Sequence, residues 1–305
     1  MLHLEKRQLR QFSLICAAAA LAVVLITLFI VFLTSGQEDE PPAPSSSGVE
    51  GPVIPEGMRL FEDLYEGEVI IPDFDVPDNK LDFEGFTTGP EGRLEYKGAV
   101  LGVDVSEFQG EVDWYAVKAA GVQFAMLRTG YRGMTQGLLK EDQSFRQNLE
   151  EAANAGLDLG VYFFSQAVTP EEAKAEAEFV VEQLEGVELT YPVVFDWEDP
   201  VPTEELPANT LRAYGLSGQV VSQCAQAFCQ TVKKAGYTPC VYFNKHQAYF
   251  FYDLDLVKDY DFWYAEYNPL PACCYGFRMW QYSDSGTIPG IETTVDLNLC
   301  FKPYE

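Results

Sequence analysis

From residue 99 onward the chain alternates short apolar runs with helical patterns, and that order constrains the fold more tightly than any other feature. The apolar runs at 99–105, 122–129, 158–165, 191–198, 238–244, 261–267, 277–283 and 293–299 read as strands. Helical patterns occupy roughly 112–120, 142–155, 170–184 and 209–235. The third opens on Thr169-Pro170-Glu171-Glu172, an N-cap followed by a first-position proline and early acids, and Gly236 marks the end of the fourth. Strands that alternate with helices form a parallel sheet or barrel. Strands six, seven and eight follow one another too closely for full helices between them. The expected fold class is α/β, a modified TIM-like barrel over residues 99–305 whose last third lacks helices.

The segments before residue 99 are different in kind. Residues 13–33 carry no charge and as a helix would span roughly 30 Å, the thickness of a bilayer core. Lys6, Arg7 and Arg10 precede them, while Glu38, Asp39 and Glu40 follow. The positive-inside rule therefore predicts a transmembrane helix with residues 1–12 as a cytoplasmic basic tail and the bulk of the chain outside the cell. A cleaved signal peptide fits less well, because Leu33-Thr34-Ser35-Gly36 is a poor cleavage site. Residues 34–57 are rich in Pro, Ser, Gly and acids and read as a linker. Residues 58–98 are too apolar for a free linker yet are interrupted by prolines and glycines, so an extended segment packed on the barrel is expected.

Net charge and residue counts remove several classes of function. A formal charge of −27 excludes a nucleic-acid partner, since binding phosphates requires a basic surface. With two histidines, His3 and His246, a histidine-rich metal centre or a Ser-His-Asp triad has too few donors. Of seven cysteines, Cys16 falls in the apolar span, and none of the others forms a C-x-x-C pair. They read as small buried hydrophobes, with a disulfide as the alternative. No cofactor or metal motif appears, and the oligomeric state is not encoded in any pattern.

Strand four, Tyr-Pro-Val-Val-Phe-Asp-Trp-Glu, ends in two acids that bracket a tryptophan. Side chains alternate along a strand, so Val194, Asp196 and Glu198 share one face and Val193, Phe195 and Trp197 the other. Asp104 ends strand one, and Asp296 lies within strand eight. In a closed barrel the first and eighth strands are neighbours, which brings these acids together across the mouth from Asp196 and Glu198. Four crowded carboxyls raise one another's proton affinity, so one can stay protonated as an acid while another is ionised. Cleaving a glycosidic bond requires that pairing. A divalent cation is the competing use of clustered carboxylates. Against it stand aromatics at neighbouring strand ends, including Tyr131, Tyr162, Phe164, Trp197, Tyr242, Trp263, Tyr264, Tyr267, Trp280 and Tyr282, whose flat faces suit sugar rings.

The segments Gly102-Val-Asp-Val-Ser-Glu-Phe-Gln-Gly110, Gly160-Val-Tyr-Phe-Phe-Ser165, Pro192-Val-Val-Phe-Asp-Trp-Glu198, Phe262-Trp-Tyr-Ala-Glu-Tyr267, Met279-Trp-Gln-Tyr282 and Val295-Asp-Leu-Asn298, with Trp114 and Ala119-Ala-Gly121, resemble glycoside hydrolase family 25 over about residues 99–302. These are the Chalaropsis-type lysozymes, or muramidases. The resemblance implies a barrel of five βα units followed by three strands, and peptidoglycan as the partner. It implies that Glu198 protonates the leaving oxygen of the β-1,4 bond between N-acetylmuramic acid and N-acetylglucosamine. Asp196 would steer the substrate's N-acetyl group or stabilise positive charge at the sugar carbon, with retention by substrate assistance. Asp104 and Asp296 correspond to the family's other site acids, and Tyr162, Phe164, Tyr264, Trp280 and Gln281 to groove positions. Phe108 stands where tryptophan is frequent, and Phe163-Phe164 replaces a commoner histidine or tyrosine pattern. Two other readings compete: a non-catalytic wall-binding barrel, and a chitinase-like enzyme, whose motif would want an aspartate where Val194 stands.

Overall fold

The computed structural model describes residues 52–304, and the expected membrane helix and basic tail lie outside them. Among the described residues no helix is long and apolar enough to cross a membrane. Residues 54–305 form one compact unit. Its centre is a closed barrel of eight strands: β5 (Val100–Val105), β6 (Phe124–Arg132), β8 (Asp158–Ser165), β9 (Val193–Trp197), β10 (Pro239–Asn244), β11 (Asp261–Ala265), β12 (Met279–Gly286) and β13 (Val295–Cys300). A short strand, β7 (Leu139–Glu141), is added antiparallel to β6.

Neighbouring strands from β5 through β12 run parallel, and β13 runs antiparallel to both β12 and β5, closing the circle together with the β5–β6 pairing. The reversal of β13 has a direct consequence for the site. Its first residues stand at the same rim as the last residues of the parallel strands, and Asp296 pairs in register with Asp104. The interior is so tight at its base that a Cβ on Gly102 would fall 2.2 Å from the Phe124 ring. Only glycine permits that approach.

Four α-helices cover the barrel: α1 (Trp114–Ala119), α2 (Phe145–Asn154), α3 (Pro170–Gln183) and α4 (Gly218–Lys234). Thr169 caps α3 by accepting from the Glu172 N–H, with Pro170 at its start. The fourth helix is shorter than the 209–235 pattern predicts. Gly215 adopts φ +74°, which no helix tolerates, and the Ser217 side chain caps the Val220 N–H, so the helix begins only at Gly218. The fifth crossover is a π-helical turn, Gln247–Phe251, followed by a 3-10 turn, Leu254–Leu256, in place of a regular helix. β11 and β12 are parallel yet joined by residues 266–278 with no helix, a connection of about the minimum length for a parallel return.

Residues 58–98 supply the missing outer layer there, and they are hairpins rather than simply extended chain. β1 (Met58–Asp63) pairs with β2 (Gly67–Pro72), and β3 (Phe86–Thr88) with β4 (Leu94–Tyr96). Asp78 bridges to Tyr275, and Phe86 packs edge-on against Trp280 at 5.6 Å and against Phe301 at 5.9 Å. The six cysteines from Cys224 to Cys300 are all buried and unpaired, matching the reading as small hydrophobes.

Candidate active site

The acids arrive at the mouth by strand alternation. On β9, Val193, Phe195 and Trp197 join the layer between barrel and helices, and Val194 points into the barrel interior with Phe124, Met126 and Trp263. Asp196 and Glu198 follow on the inward side. They line, with Asp104 and Asp296, one cavity of about 260 Å³ at the rim. The backbone that carries Glu198 is pinned by two buried amides. Gln166 Nε2 donates to the Glu198 carbonyl at 3.1 Å, and Gln247 Nε2 donates to the Trp197 carbonyl at 3.0 Å.

Asp104 is the most fully organised of the four. Its Oδ2 accepts from Gln281 Nε2 at 3.0 Å and from Asn298 Nδ2 at 2.7 Å. Both amides are oriented from behind. Tyr242 and Tyr267 hydroxyls each donate to Gln281 Oε1 at 2.9 Å, and Trp263 Nε1 donates to Asn298 Oδ1 at 2.8 Å. Asp196 is the opposite case: it is 5% exposed, and its Oδ1 is buried with no protein hydrogen bond. A buried acceptor left open in this way costs free energy unless a proton or a ligand's N–H satisfies it.

All four carboxyls bind protons more tightly than ordinary acids. Burial lifts Asp196 well above the usual range, and the neighbouring charges of Glu198 and Asp104 add to it. Burial raises Asp104 against the lowering effect of Asn298 and Gln281. Asp296 is pushed up to about 8 by burial first and then by the charge of Asp104, with which it shares a hydrogen bond. Two carboxyls this close hinder each other's ionisation, so their titrations are linked. Glu198 is raised by loss of solvent and by the Asp104 charge, although it reaches the open end of the groove, where water screens it. The opposing cation is Arg128, held by Asp142 at 2.7 Å and Glu107 at 3.1 Å beneath the Phe108 ring. Among the described residues no three His, Cys, Asp or Glu side chains converge to hold a metal ion.

Of the expected groove residues, Tyr162, Phe164 and Gln281 line the cavity. Tyr264 and Trp280 do not. Each sits one residue from an inward position and so faces outward. Tyr264 packs against Phe277 at 5.0 Å and donates to Glu266, and Trp280 lies under Phe86 with its Nε1 donating to the Glu266 carbonyl. Trp263 and Tyr242 take the inward places, with Tyr267 beyond the end of β11. Arg128, Gln166, Gln247 and the role of Asn298 escape a reading of the sequence. A cation inside the apolar run Phe-Ala-Met-Leu-Arg-Thr was the available signal for Arg128.

Residues 103–291 match the glycosyl hydrolases family 25 description. Autolytic lysozyme of Clostridium acetobutylicum is 30% identical over 204 residues, 65% of this chain and 54% of that protein. This chain therefore spans about half the length of that relative. Lysozyme M1 of Streptomyces globisporus is 27% identical over 70% of this chain and 73% of its own length. The modular autolysin LytC of Streptococcus pneumoniae, in complex with a synthetic peptidoglycan ligand, shares the fold with a TM-score of 0.57 at 23% identity, over 81% of this chain and 57% of that one. The spore cortex lytic enzyme SleM of Clostridium perfringens does so with a TM-score of 0.56 at 21% identity, over 68% of each chain.

Proposed function

This chain belongs to glycosyl hydrolase family 25, and we propose from that premise that it is a muramidase, hydrolysing the β-1,4 bond between N-acetylmuramic acid and N-acetylglucosamine in peptidoglycan. The observation that carries the proposal is the set of four carboxyls with raised proton affinity at one rim, one of them with an unpaired buried oxygen. Family relatives named as lysozymes support the substrate class.

Glu198, raised yet open to the groove, is the general acid: it gives its proton to the glycosidic oxygen as the bond to the sugar carbon breaks. The open Oδ1 of Asp196 accepts from the substrate's acetamido N–H and turns its carbonyl oxygen toward the same carbon. Bond formation there gives a cyclic intermediate with retention. Glu198, now a carboxylate, takes a proton from the water that opens it, so the enzyme returns to its starting state. The Asp104–Asp296 pair holds negative charge near the developing cation, and the raised proton affinity of Asp296 limits the charge that faces Glu198. Tyr162, Phe164 and Gln281 contact the sugars. The tether reading of residues 13–33 belongs to this proposal as well: it would hold the barrel on the outer face of the membrane beside the wall.

Glu198→Gln removes the proton and leaves the shape. Release of reducing ends from purified peptidoglycan falls by about 10³-fold, in the range for loss of a general acid, with unchanged thermal unfolding. An unaltered rate would sink the assignment. Wall binding without any turnover by the unmodified chain would favour the non-catalytic reading instead.

A further inference from the structure

Beyond Glu198 lies a second cavity, of about 610 Å³, that shares Glu198, Tyr242 and Tyr267 with the four-acid pocket. Asn244, His246, Phe250 and Asn268 line it, and so does Glu66 from the tip of the β1–β2 hairpin. That hairpin lies outside residues 103–291, so this wall is not part of the family match.

The hairpin is held there by a built contact. Lys245 Nζ lies 3.1 Å from Asp63 and 3.0 Å from Glu266, with Asp63 and Glu266 buried, and the Tyr249 hydroxyl donates to Asp63 at 3.2 Å. Asp63 in turn accepts from the Tyr65 and Glu66 N–H groups at 2.9 and 3.1 Å, fixing the turn that presents Glu66. Phe61 packs edge-on against Tyr249 at 6.3 Å. Truncating a lysine between two buried acids is costly, so this clamp rigidifies the wall. Inside it, Phe250 and Tyr267 are 56% and 52% exposed, large rings that each leave about half their surface open, beside the amide side chains of Asn244 and Asn268. Apolar faces with a few polar groups in a cavity of this size are what a small polar ligand needs.

We propose that the β1–β2 hairpin completes a binding subsite for the sugars on the leaving-group side of the scissile bond. The inference rests on the muramidase reading. Glu198 stands on the border between the two cavities, so the oxygen it protonates lies on that border with one sugar on each side. The pocket that concentrates Asp104, Asp196 and Asp296 suits the sugar that becomes positively charged. The cavity with exposed rings and amides is left for the sugar that departs with the proton. Phe250 and Tyr267 offer their faces to it, and Glu66 and the amides its hydroxyl partners.

Two substitutions at exposed positions test this in the full chain. Glu66→Trp fills the cavity from the hairpin side, and Phe250→Ala removes a platform. Each is assayed on long glycan strands and on an aryl glycoside that carries the same donor sugars but a nitrophenol leaving group. The expected result is that the ratio of kcat/KM for glycan to that for the aryl glycoside falls at least fivefold in both variants, mainly through KM on glycan. An unchanged ratio overturns the inference, whether both rates hold or both fall together. If the unsubstituted chain cleaves neither substrate, the muramidase reading fails and takes the inference with it; cleavage with an unchanged ratio defeats the inference alone.

Discussion

At the scale of single residues, the site is a problem of proton placement. Asp296 is held at about 8 by burial and by Asp104. A carboxyl whose proton affinity is raised on folding favours the fold below its unfolded value, near pH 4, and loses that advantage as the pH climbs through about 8. Asp296→Asn keeps the hydrogen-bonding shape without the charge. It should make the protein more stable than the parent at pH 8 by about 1–2 kcal/mol, after allowance for solvent and for the coupling to Asp104, with little difference at pH 4 and with reduced activity. Urea unfolding at the two pH values measures it, and a difference of equal size at both would contradict the assigned cause. Asn298→Ala strips Asp104 of one donor and the Trp263 N–H of its acceptor, at a cost of about 2–3 kcal/mol. Denaturant unfolding at neutral pH reads that loss directly. The acids were legible in the sequence because each is a polar residue at the inward position of an apolar strand. Tyr264 and Trp280 were misread for a related reason: aromatic residues suit both faces of a barrel strand, and only register shows that their neighbours Trp263 and Gln281 face the groove. Asp196's open oxygen and the amides Gln166 and Gln247 depend on tertiary contacts that no local pattern encodes.

At the scale of elements, the strand pattern was readable because buried parallel strands are continuous apolar runs. All eight barrel strands fall within a few residues of their predicted places. Helix limits were readable where side-chain caps mark them. Thr169→Ala should therefore cost about 1 kcal/mol, because the Glu172 N–H at the start of α3 loses its acceptor at 3.3 Å. A thermal shift within error would show that tertiary packing alone sets that helix start. The 209–217 stretch was misassigned because Leu211, Ala213, Tyr214 and Leu216 mimic a helical stripe, while the conformation of Gly215 breaks it. The two N-terminal hairpins were invisible as hairpins for another reason. Their apolar faces are complementary to the outer surface of strands that lack helices, and neither partner reveals the other in sequence. Phe86 over Trp280 shows what the pairing achieves: the hairpin buries the aromatic that a helix would otherwise cover.

At the scale of the whole molecule, an acidic barrel with its site at one rim follows an apolar stretch and a Pro/Ser-rich linker. If residues 13–33 anchor the chain, it should sediment with membranes and resist extraction by salt or carbonate, and removal of residues 1–36 should release it into the soluble fraction. Release by salt alone would contradict the anchor. Muramidase chemistry by four carboxyls is decided by mass analysis of the fragments that the full chain releases from purified peptidoglycan. The expected fragments carry N-acetylmuramic acid at the new reducing end, and none appear when Glu198→Gln replaces the parent. Fragments that end in reducing N-acetylglucosamine, or intact glycan strands after exhaustive digestion, would contradict it.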